Sequence, residues 1–100
     1  GAGSEPAWSN GNLASVARTA MNADATLTAA SAPYQFFDPD AARIVNLPAA
    51  VTGMVFVIKN FDASGFALTV KDAAAATVTT VVNGQTITVV YDGTAWQVIG

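Results

Sequence analysis

The sequence predicts an all-β fold, in the form of a small antiparallel β-sandwich or barrel. The main observation is segment 77–99, where three runs rich in Val, Thr and Ile are separated by the pairs Asn83-Gly84 and Asp92-Gly93. Both pairs suit the two-residue type I′ turn, which needs positive φ at its two central positions. The segment therefore predicts a β-meander of three strands joined by hairpins.

Short apolar runs upstream extend this pattern, and residues that favour turns separate them. The predicted strands lie at 26–28, 34–37, 42–47, 54–58 and 66–71. The run 54–58 is apolar at every position, which suits a central strand covered on both faces or a strand whose outer face meets another subunit. Six to eight short strands at this spacing favour a sandwich or barrel over a helical fold.

The beginning of the chain differs in composition from the rest. Residues 1–22 are expected to form an extended or short-helical arm, and residues 23–100 the antiparallel β-domain. Apolar residues recur through 13–21 at the spacing of one face of a short helix. The segment is only nine residues long, so a loosely ordered conformation is the alternative to a helix.

The arm also carries the predicted partner-binding residues. A tryptophan in a polar segment predicts an anchor, because large aromatic side chains supply much of the binding energy at interfaces. Packing of this tryptophan on its own domain is the alternative. The predicted partner-binding residues are Trp8, Leu13, Val16 and Met21.

Composition indicates self-association and argues against several classes of partner. Charged residues make up 11% of the chain and apolar residues 52%, so much of the surface must be uncharged and a homo-oligomer is expected. Four basic residues on a chain of net charge −3 are too few to hold a nucleic-acid backbone. No apolar run is long enough to span a membrane, and no signal peptide is evident.

The sequence predicts no enzymatic site. With no His and no Cys, it lacks the usual general base, nucleophile and thiolate ligands, so no catalytic residue, metal or cofactor is predicted. The Asp38-Pro39-Asp40 segment is interpreted as a turn rather than a calcium site, which would need six to eight oxygen ligands. The aromatic residues raise one further alternative, a platform for sugars, against the expectation that they pack in the core. They are Tyr34, Phe61, Tyr91 and Trp96.

Several motifs of the β-domain resemble a β-domain found in virion surface proteins of tailed bacteriophages, which include head decoration proteins, head fibres and segments of tail fibres or spikes. The resemblance covers roughly residues 34–100 and leaves out the segment before Ala25. The motifs that carry it are Ile44 to Pro48, Gly53 to Asn60, Leu68 to Asp72, Val82 to Thr86 and Tyr91 to Val98.

The resemblance implies a structural role and often a trimer. A chain of 100 residues is more similar to a capsid decoration protein than to a tail fibre with long shaft repeats. The resemblance implies a homotrimer that binds the major capsid protein on the outer capsid surface and stabilises the shell. It also implies that the protein is in the host cytoplasm during assembly. The alternative is a receptor- or carbohydrate-binding domain of a tail fibre or spike, with a host-surface glycan as ligand.

Overall fold

The computed structural model describes residues 15–100, and these form nine β-strands with no helix among them. The all-β prediction is therefore confirmed. The strands are β1 Val16–Met21, β2 Ala25–Thr26, β3 Tyr34–Pro39, β4 Arg43–Asn46, β5 Val55–Asn60, β6 Leu68–Lys71, β7 Thr77–Val81, β8 Thr86–Tyr91 and β9 Trp96–Ile99.

The strands form two sheets, and the chain alternates between them along its first six strands. A five-stranded sheet has the order β1-β3-β5-β8-β9, and a four-stranded sheet has the order β2-β4-β6-β7. Odd-numbered strands β1, β3 and β5 are parallel, and so are even-numbered strands β2, β4 and β6. Residues 16–71 thus form three stacked coils of a two-sheet solenoid.

The purely antiparallel pairing expected from the sequence is wrong for this first part of the chain. Antiparallel pairing is confined to β5–β8, β6–β7 and β8–β9. Local patterns of alternating residues give the same signal for parallel and antiparallel strands, because both have a side-chain period of two. The direction of pairing depends on which strand lies alongside, and here each strand pairs with one that lies two strands away in the sequence.

The core lies between the two sheets. Each strand alternates between an inward and an outward face, as in β5, where Phe56, Ile58 and Asn60 are buried and the residues between them are not. The buried apolar residues are Met21, Leu27, Phe37, Val45, Leu47, Phe56, Ile58, Leu68, Val70, Val81, Ile87 and Val89.

The predicted short helix at 13–21 is wrong over the part that the structure describes. Residues Val16–Met21 form strand β1, which pairs in parallel with β3 at the edge of the five-stranded sheet. A strand of this sheet therefore lies within the segment 1–22 that was expected to be an arm. Valine and threonine favour strands, and pairing with β3 outweighs the helical spacing of the alanines. Leu13 lies outside the described residues.

The two Gly-containing turns also differ from the prediction. Asn83-Gly84 joins β7 in one sheet to β8 in the other, so it forms a corner between sheets and not a hairpin. Gly84 has φ +82° and Asn83 does not have positive φ, which fits a type II turn and not type I′. Asp92 and Gly93 belong to a four-residue loop between β8 and β9, which do form the predicted hairpin.

Candidate interaction surfaces

The structure separates the predicted partner-binding residues. Trp8 and Leu13 lie outside the described residues. Val16 is 58% exposed at the start of β1 and is accessible to a partner. Met21, at the end of the same strand, is 3% exposed and packs in the core, so it cannot contact a partner in this conformation.

The four aromatic residues considered as a sugar platform also lie in two different places. Tyr34 lies on the outer face of the five-stranded sheet, and Phe61 follows β5 and contacts Arg18 of β1. Tyr91 and Trp96 lie at the β8–β9 hairpin, in a groove described below. The four rings therefore do not form one platform.

The outer face of the five-stranded sheet carries a continuous row of mainly apolar side chains, here called the outer apolar row. Strand pairing aligns one residue from each strand on the same face: Val16, Tyr34, Val57, Thr88 and Ile99. Val16 and Ile99 are each 58% exposed, and Tyr34 is 39% exposed. Single exposed apolar residues are common on protein surfaces, but a contiguous row of them marks an interaction surface.

A basic pair borders this row. Arg18 and Lys59 flank Phe36 on the same face, because Phe36 pairs with Arg18 in β1 and with Lys59 in β5. The Arg18 guanidinium lies 4.5 Å from the centre of the Phe61 ring, within the range of a cation–π interaction. These four residues and Val16 line a concavity of about 400 Å³. The concavity thus combines aromatic rings with two positive charges.

A second concavity lies where the two sheets approach each other at β7 and β9, and we call it the seam groove. Its volume is about 420 Å³. Three connections build it: the loop from β4 to β5, the turn from β6 to β7, and the β8–β9 hairpin. The lining residues are Pro48, Ala50, Asp72, Ala73, Ala74, Thr77, Val78, Tyr91, Thr94, Ala95 and Trp96.

The aromatic residues of the seam groove are held in place by packing. The Tyr91 and Trp96 rings meet edge to face, with centroids 5.5 Å apart and an interplanar angle of 64°. Trp96 also packs on Phe56, at 6.2 Å between centroids. Both Tyr91 and Trp96 are only partly buried, so their remaining surface faces the groove. The two rings therefore contribute both to core packing and to the surface of the groove.

Hydrogen bonds fix the hairpin that carries Trp96. Asp92 Oδ1 accepts hydrogen bonds from the amides of Thr94 and Ala95 at 2.8 and 2.9 Å, and Oδ2 accepts one from Gln97 Nε2 at 2.9 Å. These hydrogen bonds lower the pKa of Asp92 from its ordinary value, with the Ala95 amide as the largest cause. The carboxylate therefore holds the loop in the conformation that presents Trp96.

Asp62 and Asp40 also lie in connections between strands. Asp62 Oδ2 accepts a hydrogen bond from the Phe66 amide at 2.7 Å. Burial raises the pKa of Asp62, but the backbone amides from residues 63–66 outweigh it and the pKa is lowered. Asp40 forms an ion pair with Arg43 at 2.8 Å in the bend between β3 and β4. The predicted turn at Asp38-Pro39-Asp40 is wrong for its first two residues, which end strand β3. Pro39 is tolerated there because it pairs with β1 only and lies beyond the last residue that pairs with β5.

Within residues 15–100, no cluster of three or more acidic residues is placed to hold a metal ion. The same part of the chain contains no helix with the length and apolarity of a membrane span. The outer apolar row and the seam groove contain neither an acidic cluster of this kind nor a helix. Both are made of neutral, aromatic and a few charged side chains on strands and turns.

The groove could not have been found from sequence spacing. Its walls come from residues 48–50, 72–78 and 91–96, and only the tertiary fold brings these segments together. The outer apolar row had a partial signal in the sequence. The run 54–58 was expected to be covered on both sides or to meet another subunit, and Val57 lies in this row.

Comparison with known proteins supports the fold and leaves the family open. No protein-family model matches the sequence, and no curated protein matches it. Among solved structures, the fold is similar to part of a chain in a "Structure of a chaperone-substrate complex", with a TM-score of 0.58 and 19% identity. The similarity covers 84% of this chain and 17% of the other chain, so this chain spans about a sixth of that protein's length. Identity this low shows a shared fold alone.

Proposed function

We propose that this chain is a structural virion protein that acts by assembly and not by catalysis. In the form implied by the resemblance of its motifs, it is a homotrimeric capsid decoration protein that binds the major capsid protein on the outer shell and stabilises it. The observation that carries the proposal is the outer apolar row, which crosses all five strands of one sheet.

A second copy of the chain is the occupant proposed for the outer apolar row. The charged strand residues on this face are Arg18, Lys59 and Asp38, which give it a net charge of +1 on a chain of net charge −3. The face is therefore complementary in charge to the rest of another copy. Contact between two different surfaces generates a ring when the rotation closes, and a trimer is such a ring.

Burial of the row would also offset the cost of bringing copies together. Val16, Tyr34 and Ile99 are the most exposed members of the row. Covering one large apolar side chain contributes about 1.5–3 kcal/mol. Only the excess over the entropy lost on association appears as affinity, so several such residues are needed in each interface.

The first experiment measures mass by light scattering. The wild-type protein is expected at three times the chain mass of 10.2 kDa. The double variant Tyr34→Ser/Val57→Ser is expected to be monomeric with an unchanged β-type circular dichroism spectrum. Ile44→Ser is the control, because Ile44 pairs within the other sheet. A monomeric wild type, or a double variant that stays trimeric, would refute this use of the row.

The second experiment tests the location. Purified shells of the parent virion are mixed with the protein, pelleted, and imaged by electron microscopy. Decoration predicts co-sedimentation that saturates and density on the outer capsid surface. Density confined to the tail, without shell binding, would reject the decoration role and favour a fibre or spike.

The second candidate function is carbohydrate binding by a virion surface domain. The seam groove favours it, because Tyr91 and Trp96 line the groove together with hydroxyl and carboxylate groups. The two functions use different surfaces of the domain. They can therefore be tested separately.

A further inference from the structure

We infer that the seam groove is a binding site for a neutral saccharide. The inference rests on the second proposed function and assigns it a place and a ligand class. The groove volume of about 420 Å³ lies within the range of roughly 300–1,000 Å³ typical of small-molecule sites. The chemical groups that line the groove then indicate which class of small molecule it binds.

The aromatic pair supplies flat apolar surface that suits the apolar face of a sugar ring. Packing of Trp96 on Phe56 and Tyr91 fixes the indole orientation, so little side-chain entropy is lost when a ligand binds. Among residues 15–100, no acceptor is found for Trp96 Nε1 and no partner for the Tyr91 hydroxyl. Aromatic side chains with such polar groups usually direct them to a partner or to solvent. Here they are available to sugar hydroxyls.

Asp72, from the β6–β7 turn, supplies an acceptor to the groove. Its Oδ1 accepts hydrogen bonds from the amides of Ala74 and Ala76, both at 2.9 Å. Within the described part of the chain no hydrogen bond reaches Oδ2, which leaves this oxygen for ligand hydroxyls. Hydrogen bonds to a carboxylate are about twice as strong as those between neutral groups.

The charge of the lining excludes the main alternatives to a sugar. None of the lining residues is basic, whereas one is acidic, so phosphates, nucleotides and acidic glycans are disfavoured. Thr77 and Thr94 add hydroxyl groups that both donate and accept hydrogen bonds. Flat apolar rings combined with neutral hydroxyls and one carboxylate match a neutral, hydroxyl-rich ligand.

Hydrogen bonds fix the backbone of the β6–β7 turn beside the groove, because the Ala75 amide donates to the Asp72 carbonyl at 3.0 Å and the Asp72 amide to the Ala76 carbonyl at 2.9 Å. Ala75 has φ +67°, the one non-glycine residue with positive φ among residues 15–100, and it lies in the turn that presents Ala73 and Ala74. Such a conformation is unfavourable for alanine, because its Cβ crowds the following carbonyl oxygen. The register of β6 and β7 also shifts next to this turn, which leaves Val78 unpaired and lining the groove. A turn followed by one αL residue and a bulge is a common hairpin connection, so this turn forms a defined wall of the groove.

The test is saturation-transfer NMR with a defined panel of neutral oligosaccharides: maltohexaose, cellohexaose, chitohexaose and mannohexaose. A heparin hexasaccharide is the anionic probe. At least one neutral member is expected to bind, and the heparin fragment is not. Titration of that member should quench tryptophan fluorescence in a Trp8→Phe background, where Trp96 is the one remaining tryptophan.

Three variants locate the site. Ala74→Tyr fills the groove from an exposed turn, and Asp72→Asn removes the charge while the side-chain oxygen still caps the turn. Both are expected to weaken binding at least tenfold while the protein stays folded by circular dichroism. The unfolding midpoint should be unchanged for Ala74→Tyr and slightly lower for Asp72→Asn, because the two turn hydrogen bonds to residue 72 lose their charge. Tyr34→Ser, on the outer face, should bind normally.

Absence of binding across the four neutral oligosaccharides would overturn the inference, as would binding that Ala74→Tyr and Asp72→Asn leave unchanged. Binding of the heparin fragment alone would also overturn the ligand class. None of these outcomes bears on assembly, because light scattering on the Tyr34→Ser/Val57→Ser variant reports the outer apolar row separately.

Discussion

Replacement of Asn60 by alanine should cost more stability than any other single polar substitution in the core. Asn60 is fully buried at the end of β5. Its Nδ2 donates to the Phe66 carbonyl at 2.8 Å and to the Val81 carbonyl at 3.1 Å, and its Oδ1 accepts from the Asp62 amide at 3.0 Å. Because β5 and β7 belong to different sheets, this side chain ties the two sheets together.

The magnitude follows from these three hydrogen bonds. Each contributes about 1 kcal/mol net, so Asn60→Ala should lower the free energy of unfolding by about 3 kcal/mol. The stability of a domain is about 5–15 kcal/mol, so this is a large share of it. With a urea m value of about 1.5 kcal/mol/M, the unfolding midpoint should fall by about 2 M.

The assay is equilibrium urea unfolding followed by circular dichroism. Asn83→Ala is the matched control, since Asn83 is exposed and no side-chain hydrogen bond to it is found within residues 15–100. The free energy of unfolding of this control should change by less than about 0.5 kcal/mol. A loss below about 1 kcal/mol for Asn60→Ala would refute the role of the hydrogen bonds between sheets.

Asn60→Asp sharpens the test. The carboxylate keeps the acceptor for the Asp62 amide but faces the carbonyl oxygens of Phe66 and Val81 without donors. Burial then raises the pKa of the introduced carboxyl group, and stability is lost as pH rises above its unfolded pKa. The destabilisation relative to wild type should therefore be larger at pH 7 than at pH 3.5, and equal losses would contradict it.

Two further predictions follow from the loops. Gly93→Ala should destabilise the protein by about 1 kcal/mol more than Gly84→Ala. Both positions need positive φ, but only at Gly93 would the new Cβ lie 2.9 Å from Thr52 Oγ1. Urea unfolding midpoints of the two variants measure the difference, and equal losses of stability would exclude the contact. Stability should also fall as pH drops below about 4, because the pKa values of Asp62 and Asp92 are lowered in the folded state and their contribution is lost on protonation. The variant Asp62→Asn/Asp92→Asn should show a shallower decline between pH 4 and pH 2, and an unchanged decline would assign the acid sensitivity elsewhere.

Local signals in the amino-acid sequence were enough to identify the strands in most of the chain. Alternation in β5 and β8 marks strands, and turn residues such as Gly84 and Gly93 mark chain reversals, because both depend only on neighbouring residues. The same kind of signal placed a turn at Asp38-Pro39-Asp40, which is wrong for its first two residues: Asp38 and Pro39 end strand β3, and the chain bends only from Asp40. The lack of His and Cys is likewise a property of the sequence alone.

The pairing of the strands, and the surfaces that result from it, depend on the tertiary structure. The same alternating pattern fits a parallel coil or an antiparallel meander, so β7 and β8 were wrongly joined as a hairpin while they lie in different sheets. Residues 16–21 form a strand despite their helical spacing, because they pair with β3. This pairing depends on a segment that is distant in the sequence. The seam groove and the hydrogen bonds of Asn60 likewise join segments that are far apart in the chain. Contacts of this kind depend on the packing of two sheets, and a local pattern cannot encode them alone.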